Sequence, residues 1–383
     1  MQALDVYAQY DISPVRGRGA ELWDAEGRRY LDFYGGHAVI SIGHSHPQFV
    51  EALRAQIERL VFYSNAVRNP VQDALARLLG EVSGCEHYRL FLCNSGAEAN
   101  ENALKLASFH NGRSAVVALR GAFHGRSSAA VQVTDNPTLR AAINQGMEVR
   151  FVAPNTTDEL EQAVRTDDVA AVIIEGMQGV EGVIPMEDDY LRDARLLCDR
   201  HGAALILDEV QSGYGRTGSF FAFQHAGIEP DLVTIAKGMG NGVPVGGVLV
   251  HPSIRTWRGQ LGSTFGGNHL ACAAAIAVLE VLRAEGLIAH AERMGAMLRD
   301  GLSAVPGVRE LRGRGLMLGL ALDGPAAAPR AALLGQHGIF TGSAARDDTL
   351  RLLPPLTIGE ADVREFLTAF DAVCSSHSWS ANA

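Results

Sequence analysis

Through the middle of the chain, short apolar runs alternate with longer amphipathic stretches. That alternation admits few architectures. Strands buried on both faces read as continuous apolar runs, and the helices between them carry one apolar stripe. Their repetition predicts βα units, hence an α/β fold with a largely parallel sheet. Strands are expected at 114–119, 169–174, 203–207, 232–235 and 245–250, and helices at 47–60, 71–81, 97–110, 157–165 and 189–200. Each central strand runs into a polar or glycine-rich loop. In open α/β sheets ligands sit beyond the carboxyl ends of the strands, so those loops are where chemistry is expected. From about residue 285 the pattern changes to a helix at 288–304 and strands near 315–321 and 349–352. These read as a second, smaller domain, joined by the first 45 residues with a hairpin of 20–24 and 30–33 around Glu26 and Gly27.

Composition narrows the class. With 383 residues, two to three domains are expected, and the core needs no covalent staple. The formal charge of -10 argues against a dedicated nucleic-acid binder. The five cysteines form no CxxC pair and read as buried apolar residues of a reducing compartment. The opening segment lacks the basic and apolar regions of a secretory signal, and no apolar run is long enough to span a membrane. A cytoplasmic location is therefore expected.

Of the 33 basic residues, Lys105 and Lys237 are lysines and the other 31 are arginines. Lysine can lose its proton and attack a carbonyl, which arginine cannot do, so each lysine is a candidate for chemistry. Lys105 follows Glu101 by four residues in a helical pattern and reads as half of a surface ion pair. Lys237 follows the apolar run 231–236 and precedes a glycine-rich loop, with no such partner.

Further constellations accompany it. Ser95 and Gly96 open a helix, where Ser95 is either a simple cap or part of a phosphate cradle. Asp208 ends a buried strand, with Val210 on its face and Glu209 on the other. It either caps the next turn or keeps a heterocyclic nitrogen protonated. A phosphate cradle, a strand-end aspartate and a strand-end lysine are together the parts that pyridoxal phosphate binding requires. The residues 213–218 match G-x-G-x-x-G and support a rival reading, a nicotinamide-dependent dehydrogenase. Against it, the true fingerprint follows its strand directly and opens a long helix. His44 and His46 could suit a metal. No acidic or cysteine ligand stands at matching spacing, so they read as part of a loop leading into a helix, and no metal is expected. His124 reads as structural.

By these residues the chain closely resembles the class III, fold-type I aminotransferases that use pyridoxal 5'-phosphate. Within them it is most similar to the acetylornithine/succinylornithine aminotransferases of arginine biosynthesis. The resemblance covers about residues 10–370, through the runs 33–44, 93–100, 207–218, 236–240, 262–268 and 351–355 and through Phe123-His124-Gly125-Arg126. It implies a large domain, 47–279, with a mostly parallel sheet of the seven-stranded type. It also implies a smaller α+β domain from both termini, 1–46 and 280–374, followed by a flexible tail, 375–383.

The resemblance also implies roles. Lys237 attaches the cofactor and shuttles a proton between substrate and cofactor. Asp208 pairs with the pyridine nitrogen, and Gln211 reaches the ring hydroxyl. Val210 and Phe123 pack on the two ring faces. Ser95, Gly96 and Ala97 hold the phosphate, as does Thr264 from the other subunit, so a homodimer with shared active sites is expected. Ser263 lies near substrate. Arg126 reads the distant carboxylate of the amino donor, and Arg351 reads the second carboxylate of 2-oxoglutarate. Glu175 masks Arg351 while the donor is bound. Tyr63 and Asn65 either line the acyl end of the pocket or end a helix.

Two departures bear on this reading. After Glu175 the family commonly has proline, whereas this chain has Gly176, so a difference in loop rigidity is expected. Free-ornithine aminotransferases tend to carry a tyrosine where this chain has Glu21, which favours an N-acylated donor. The implied activity is transfer of the δ-amino group of N-acetylornithine or N-succinylornithine to 2-oxoglutarate, by a ping-pong mechanism. The alternatives are another ω-aminotransferase (on free ornithine, 4-aminobutyrate or a carrier-bound lysine-pathway substrate), a pyridoxal phosphate mutase, the dehydrogenase, and a non-catalytic cofactor-binding regulator.

Overall fold

In the computed structural model, which describes residues 1–376, the chain opens with a meander of β1 (Pro14–Arg18), β2 (Glu21–Asp24) and β3 (Arg29–Asp32). The central strands are β4 (Arg89–Cys93), β5 (Ala115–Leu119), β6 (Val149–Val152) and β7 (Val169–Glu175). A small hairpin of β8 (Met177–Gln178) and β9 (Ile184–Pro185) follows. Then come β10 (Ala204–Asp208), β11 (Leu232–Ile235) and β12 (Gly246–Val250). Seven of these form one sheet in the order β4-β12-β11-β10-β7-β5-β6. All its neighbours pair in parallel except β12, which runs antiparallel to both β11 and β4. The α/β sheet expected from the apolar runs is therefore present.

Strands β5, β7, β10, β11 and β12 are buried along their whole length, which is why they read as apolar runs. The edge strands β4 and β6 were not legible in this way. Each is only partly buried, because an edge strand lacks a neighbour on one side. Helices Gly96–Asn111, Thr157–Val164 and Asp188–His201 connect the strands within about one residue of expectation.

The C-terminal region adds β13 (Val308–Arg314), β14 (Met317–Leu322), β15 (Ile339–Phe340), β16 (Gly342–Ser343) and β17 (Thr349–Leu352). Four of them form a sheet in the order β13-β14-β17-β16, while β15 pairs in parallel with β3. The C-terminal segment thus completes the N-terminal sheet. Phe33 stacks on Phe366 of the last helix with ring centroids 4.4 Å apart, and Arg29 pairs with Glu365 at 2.7 Å. Helix His269–Ala284 runs unbroken past residue 280, so the division expected there falls inside a helix and not in a linker. The last helix continues to Ser376, through the start of the expected tail, and 377–383 lie outside the described residues. Among the described residues, no helix is long and apolar enough to cross a membrane.

Candidate active site

At the carboxyl ends of the central strands, pairing sets three polar side chains side by side. Asp208 of β10 stands opposite Glu175 of β7 on one flank and Thr234 of β11 on the other. Asp208 is buried, and three donors hold its carboxylate. His124 Nδ1 lies 2.7 Å and Asn100 Nδ2 2.8 Å from Oδ2, and the Val210 amide lies 3.0 Å from Oδ1. Asn100 is itself fixed, donating to the His124 carbonyl at 2.7 Å and accepting from Thr234 Oγ1 at 2.7 Å. The carboxylate is therefore held in one orientation before any ligand arrives.

Asp208, Glu175, Asn100 and His124 line a cavity of about 500 Å³ together with Lys237, Phe123, Val210 and Gln211. Its far wall is the N-terminus of helix Gly96–Asn111. Ser95 caps that helix, its Oγ accepting from the Glu98 amide at 3.2 Å. The amides of Gly96 and Ala97 belong to the first turn, which has no intrahelical acceptors, and both residues border the cavity. Glycine is required at 96, because a Cβ there would lie 2.7 Å from Val210 Cγ1. Gly125, at φ +136°, brings the loop carrying Phe123 against the same turn, where a Cβ would lie 2.8 Å from Ala97 Cβ.

Lys237 follows β11 by two residues and holds a left-handed backbone, φ 45°, which is costly for a residue with a Cβ. Burial pushes its ammonium below the usual lysine range, while the Asp208 and Glu175 charges act in the opposite sense. Glu175 is buried, and burial pushes it up. Its oxygens accept from the Phe123 amide at 2.9 Å and the Gly179 amide at 3.0 Å.

The two arginines expected to read carboxylates occupy different settings. Arg126 is exposed at the cavity mouth and makes no ion pair among the described residues. Arg351, on β17, is buried; it donates to the Gly179 carbonyl at 2.9 Å and to the Ser343 carbonyl, and its guanidinium lies 5.9 Å from the Tyr34 ring centre. Burial holds it below the usual arginine range. The expected Glu175–Arg351 contact is not made. Glu175 and Arg351 instead share Gly179, one on its amide and the other on its carbonyl.

Besides Arg351, four expected site residues lie outside the lining of this cavity within one chain. Thr264 and Tyr63 are exposed. Asn65 donates to the carbonyls of Ser263 at 3.1 Å and Gly266 at 3.0 Å, and it lines a separate depression with Ser263. Ser263 Oγ reaches the site's border by accepting from Asn94 Nδ2 at 3.3 Å.

Other readings are corrected or extended. The Glu101–Lys105 pair does not form. Glu101 accepts from Ser127 Oγ and the Ala130 amide, and Lys105 sits near the Phe109 ring. Glu21 pairs with Arg29 across the first meander and does not line the cavity. The segment 213–218 opens no long helix. Its Gly215 and Gly218 admit helix Leu287–Leu302, where Cβ atoms would lie 2.9 Å from Ile288 Cγ1 and 2.4 Å from Glu292 Oε2. Arg216, fully buried, donates to the Leu316 and Pro354 carbonyls at 3.1 and 2.8 Å. This geometry is a packing joint and leaves no cradle for a dinucleotide. His44 pairs with Asp32 and His46 with Glu285, and Pro47 begins the next helix.

Sequence reasoning passed over Asn100, Tyr34 and His37, and it read His124 as structural only. Asn100 had a signal, being the polar member of the buried face formed with Ala99, Ala103, Leu104 and Ala107. His37 hydrogen-bonds the Tyr34 hydroxyl through Nδ1, and its carbonyl accepts from Gln211 Nε2 at 3.1 Å. Desolvation, then the Arg351 and Lys237 charges, hold it below the usual imidazole range.

A doubly wound sheet with a strand-end lysine, a strand-end aspartate and a helix N-terminus around one cavity defines a pyridoxal phosphate enzyme. The residues fit that cofactor. The free amides of the first turn suit its phosphate. Gln211 Oε1 is buried without a protein partner and suits its ring hydroxyl. Comparison then narrows the class. The family Aminotransferase class-III matches residues 5–374, and the chain belongs to that family. An acetylornithine aminotransferase from Methanopyrus kandleri is 42% identical over 95% of this chain and 94% of its own length. One from Mycobacterium tuberculosis is 43% identical over 96% and 92%. Among solved structures, the ornithine aminotransferase of Toxoplasma gondii, with pyridoxal phosphate at partial occupancy in its active site, has a TM-score of 0.90 at 32% identity, covering 97% of this chain and 91% of its own. Acetylornithine aminotransferase from Elizabethkingia anophelis has a TM-score of 0.85 at 30% identity, covering 98% and 96%. The chain is an aminotransferase, and its cofactor is pyridoxal phosphate.

Proposed function

We propose that this aminotransferase moves the δ-amino group of N-acetylornithine or N-succinylornithine to 2-oxoglutarate, yielding the N-acyl glutamate semialdehyde and glutamate in arginine biosynthesis. One observation carries the reading: two arginines stand near the lysine cavity in unlike settings, Arg126 exposed at its mouth and Arg351 buried behind its lining, on the carbonyl of Gly179, whose amide binds the lining residue Glu175. A donor with one distant carboxylate needs one cation, and an acceptor with two carboxylates needs both. The relatives from M. kandleri and M. tuberculosis, named for acetylornithine, support the donor.

When bound, pyridoxal phosphate supplies an electron sink for the carbon that loses its proton. In this reading the Gly96 and Ala97 amides and Ser95 hold the phosphate, and Phe123 and Val210 sandwich the ring. Asp208, oriented by His124, Asn100 and Val210, keeps a proton on the ring nitrogen. Gln211 accepts from the ring hydroxyl. Lys237, depressed by burial, gives up a proton near neutrality more readily than an exposed lysine. It can therefore accept a proton from the substrate carbon and return it. Glu175 keeps the Phe123 amide and the Gly179 loop in place. To screen Arg351, its carboxylate must leave those two amides.

Thr264, Ser263, Tyr63 and Asn65 serve the partner subunit's cavity in this reading, within a homodimer. Exposed Ile57, Leu60, Val61, Phe62, Tyr63 and Phe265 around them support it, since a monomer seldom leaves so much apolar surface in one region. The five unpaired, buried cysteines suit a reducing cytoplasm.

A donor panel tests the substrate. N-acetylornithine and N-succinylornithine should exceed free ornithine and 4-aminobutyrate in kcat/KM, and a preference for either of the latter overturns the reading. Arg126→Ala should lower kcat/KM for the acylated donor by about 1.5–3 kcal/mol, the worth of a hydrogen bond to a charged group.

A further inference from the structure

The end of the main sheet away from Lys237 brings together His87, Glu229 and His251, none of which the transaminase chemistry uses. His87 lies just before β4, Glu229 just before β11, and His251 just after β12. Strand β12 runs antiparallel between the other two, with Val250 opposite both Arg89 and Leu232. The end of β12 therefore meets the beginnings of β4 and β11. Asp208, the last residue of β10, and Lys237, two residues after β11, stand at the opposite end of the sheet.

The three side chains converge. One ligand atom from each lies within 4.8 Å of the others, and His87 Nε2 is 3.6 Å from Glu229 Oε1. The backbone beneath them is pinned. The His251 amide donates to the Asp231 carbonyl at 2.9 Å, and Tyr88, next to His87, donates its hydroxyl to the carbonyl of Pro230, next to Glu229, at 2.6 Å. The His87 and His251 rings meet edge-on with centroids 5.5 Å apart. Ser253 meets His251 Nδ1 twice, through Oγ at 2.7 Å and through its amide, which donates at 3.3 Å; a ligand on Nε2 requires the tautomer in which Nδ1 carries the proton and donates to Ser253 Oγ. An outer hydrogen bond of this kind orients metal-binding imidazoles.

We propose that His87, Glu229 and His251 form a surface site for a divalent transition-metal cation of the zinc type. Two imidazoles and one carboxylate suit Zn²⁺, and water completes the tetrahedron. Bonds of about 2.1 Å hold tetrahedral donors roughly 3.4 Å apart, so the exposed His87 and Glu229 close the set by side-chain rotation. The bound ion joins three loops that the sheet already brings together.

Titration of the untagged holoenzyme with Zn²⁺ by calorimetry tests this. The expected result is one saturating site per chain whose affinity falls at least about 10-fold in His87→Ala and in His251→Ala, with donor turnover in the absence of added zinc unchanged. Zinc should also raise the melting temperature of the parent protein and not of the two variants. Absence of saturable binding overturns the site. So does parental affinity in both variants, which would locate the ion elsewhere, such as on the cofactor phosphate. Failure of the substrate assignment leaves this result untouched, because no substrate enters the titration.

Discussion

Around Asp208, each hydrogen bond leans on another. Asn100 serves Asp208, the His124 carbonyl and Thr234 together. Asn100→Ala should therefore destabilise the protein by about 1–3 kcal/mol in denaturant unfolding, since it strands buried polar groups, and kcat should fall as the Asp208 orientation loosens. Lys237→Ala should abolish turnover, because no neighbouring group can replace its amine, while gel filtration shows an unchanged assembly. Glu209 makes a separate prediction. It points away from the cavity, as strand alternation requires, and accepts from the Ala222 and Phe223 amides at 2.9 Å each and from Ser212 Oγ at 2.7 Å. Burial pushes it up from 4.5 to about 7. The folded state then holds a proton that the unfolded state has released, so this group's contribution to stability is full below 4.5 and is lost as pH rises to about 7. Unfolding measured across that window should show the loss in the parent protein, and Glu209→Gln, although less stable throughout, should lack that component.

Among elements, the loop after Glu175 shows how a departure from the family pattern is accommodated. Without proline, it is fixed by the β8–β9 hairpin and by Val183, which is fully buried at φ 58°. A β-branched residue holds that conformation only under strong constraint from its surroundings. The constraint here is packing on β14, where a Cβ at Gly319 would lie 2.4 Å from the Gly182 carbonyl oxygen. Helix Leu287–Leu302 shows the same closeness at Gly295, where a Cβ would lie 2.1 Å from the Gly315 carbonyl oxygen. Gly295→Ala gains about 1 kcal/mol of helix propensity. The clash is with backbone, which cannot rotate away, and overpacking costs about 1–3 kcal/mol. The variant should therefore melt below the parent protein in calorimetry; an unchanged or higher melting temperature would mean that the helix shifts freely.

For the whole molecule, the apolar surface near Phe62 and Phe265, whose ring centres lie 5.4 Å apart, adjoins the depression holding Asn65 and Ser263. Assembly and catalysis should be coupled through it. If the proposed homodimer holds, Phe265→Asp should shift the protein toward monomer in light scattering and reduce turnover in proportion, because Thr264 and Ser263 would then no longer reach a neighbouring cavity. A fully active monomer would remove these residues from the site.

What sequence determined was whatever chain order alone can place. A residue that ends a buried strand must stand at the edge of the sheet, so Asp208 and Lys237 were legible from the apolar runs before them, and Ser95 and Gly96 from the helix they open, whereas Glu175 was named through the family resemblance. Within the main sheet, the strands that could be read are those buried on both faces. The edge strands β4 and β6 could not, because partial burial removes the apolar signal. Tertiary structure alone decided that Asn100 and His124 orient Asp208, and that Glu175 and Arg351 meet at Gly179 and not each other. It also decided that the glycines of 213–218 seat a helix and open none of their own. These outcomes depend on side-chain directions and on contacts between segments far apart in the chain. Local periodicity carries no information about either, because many partners satisfy the same pattern until the sheet fixes which segments are neighbours.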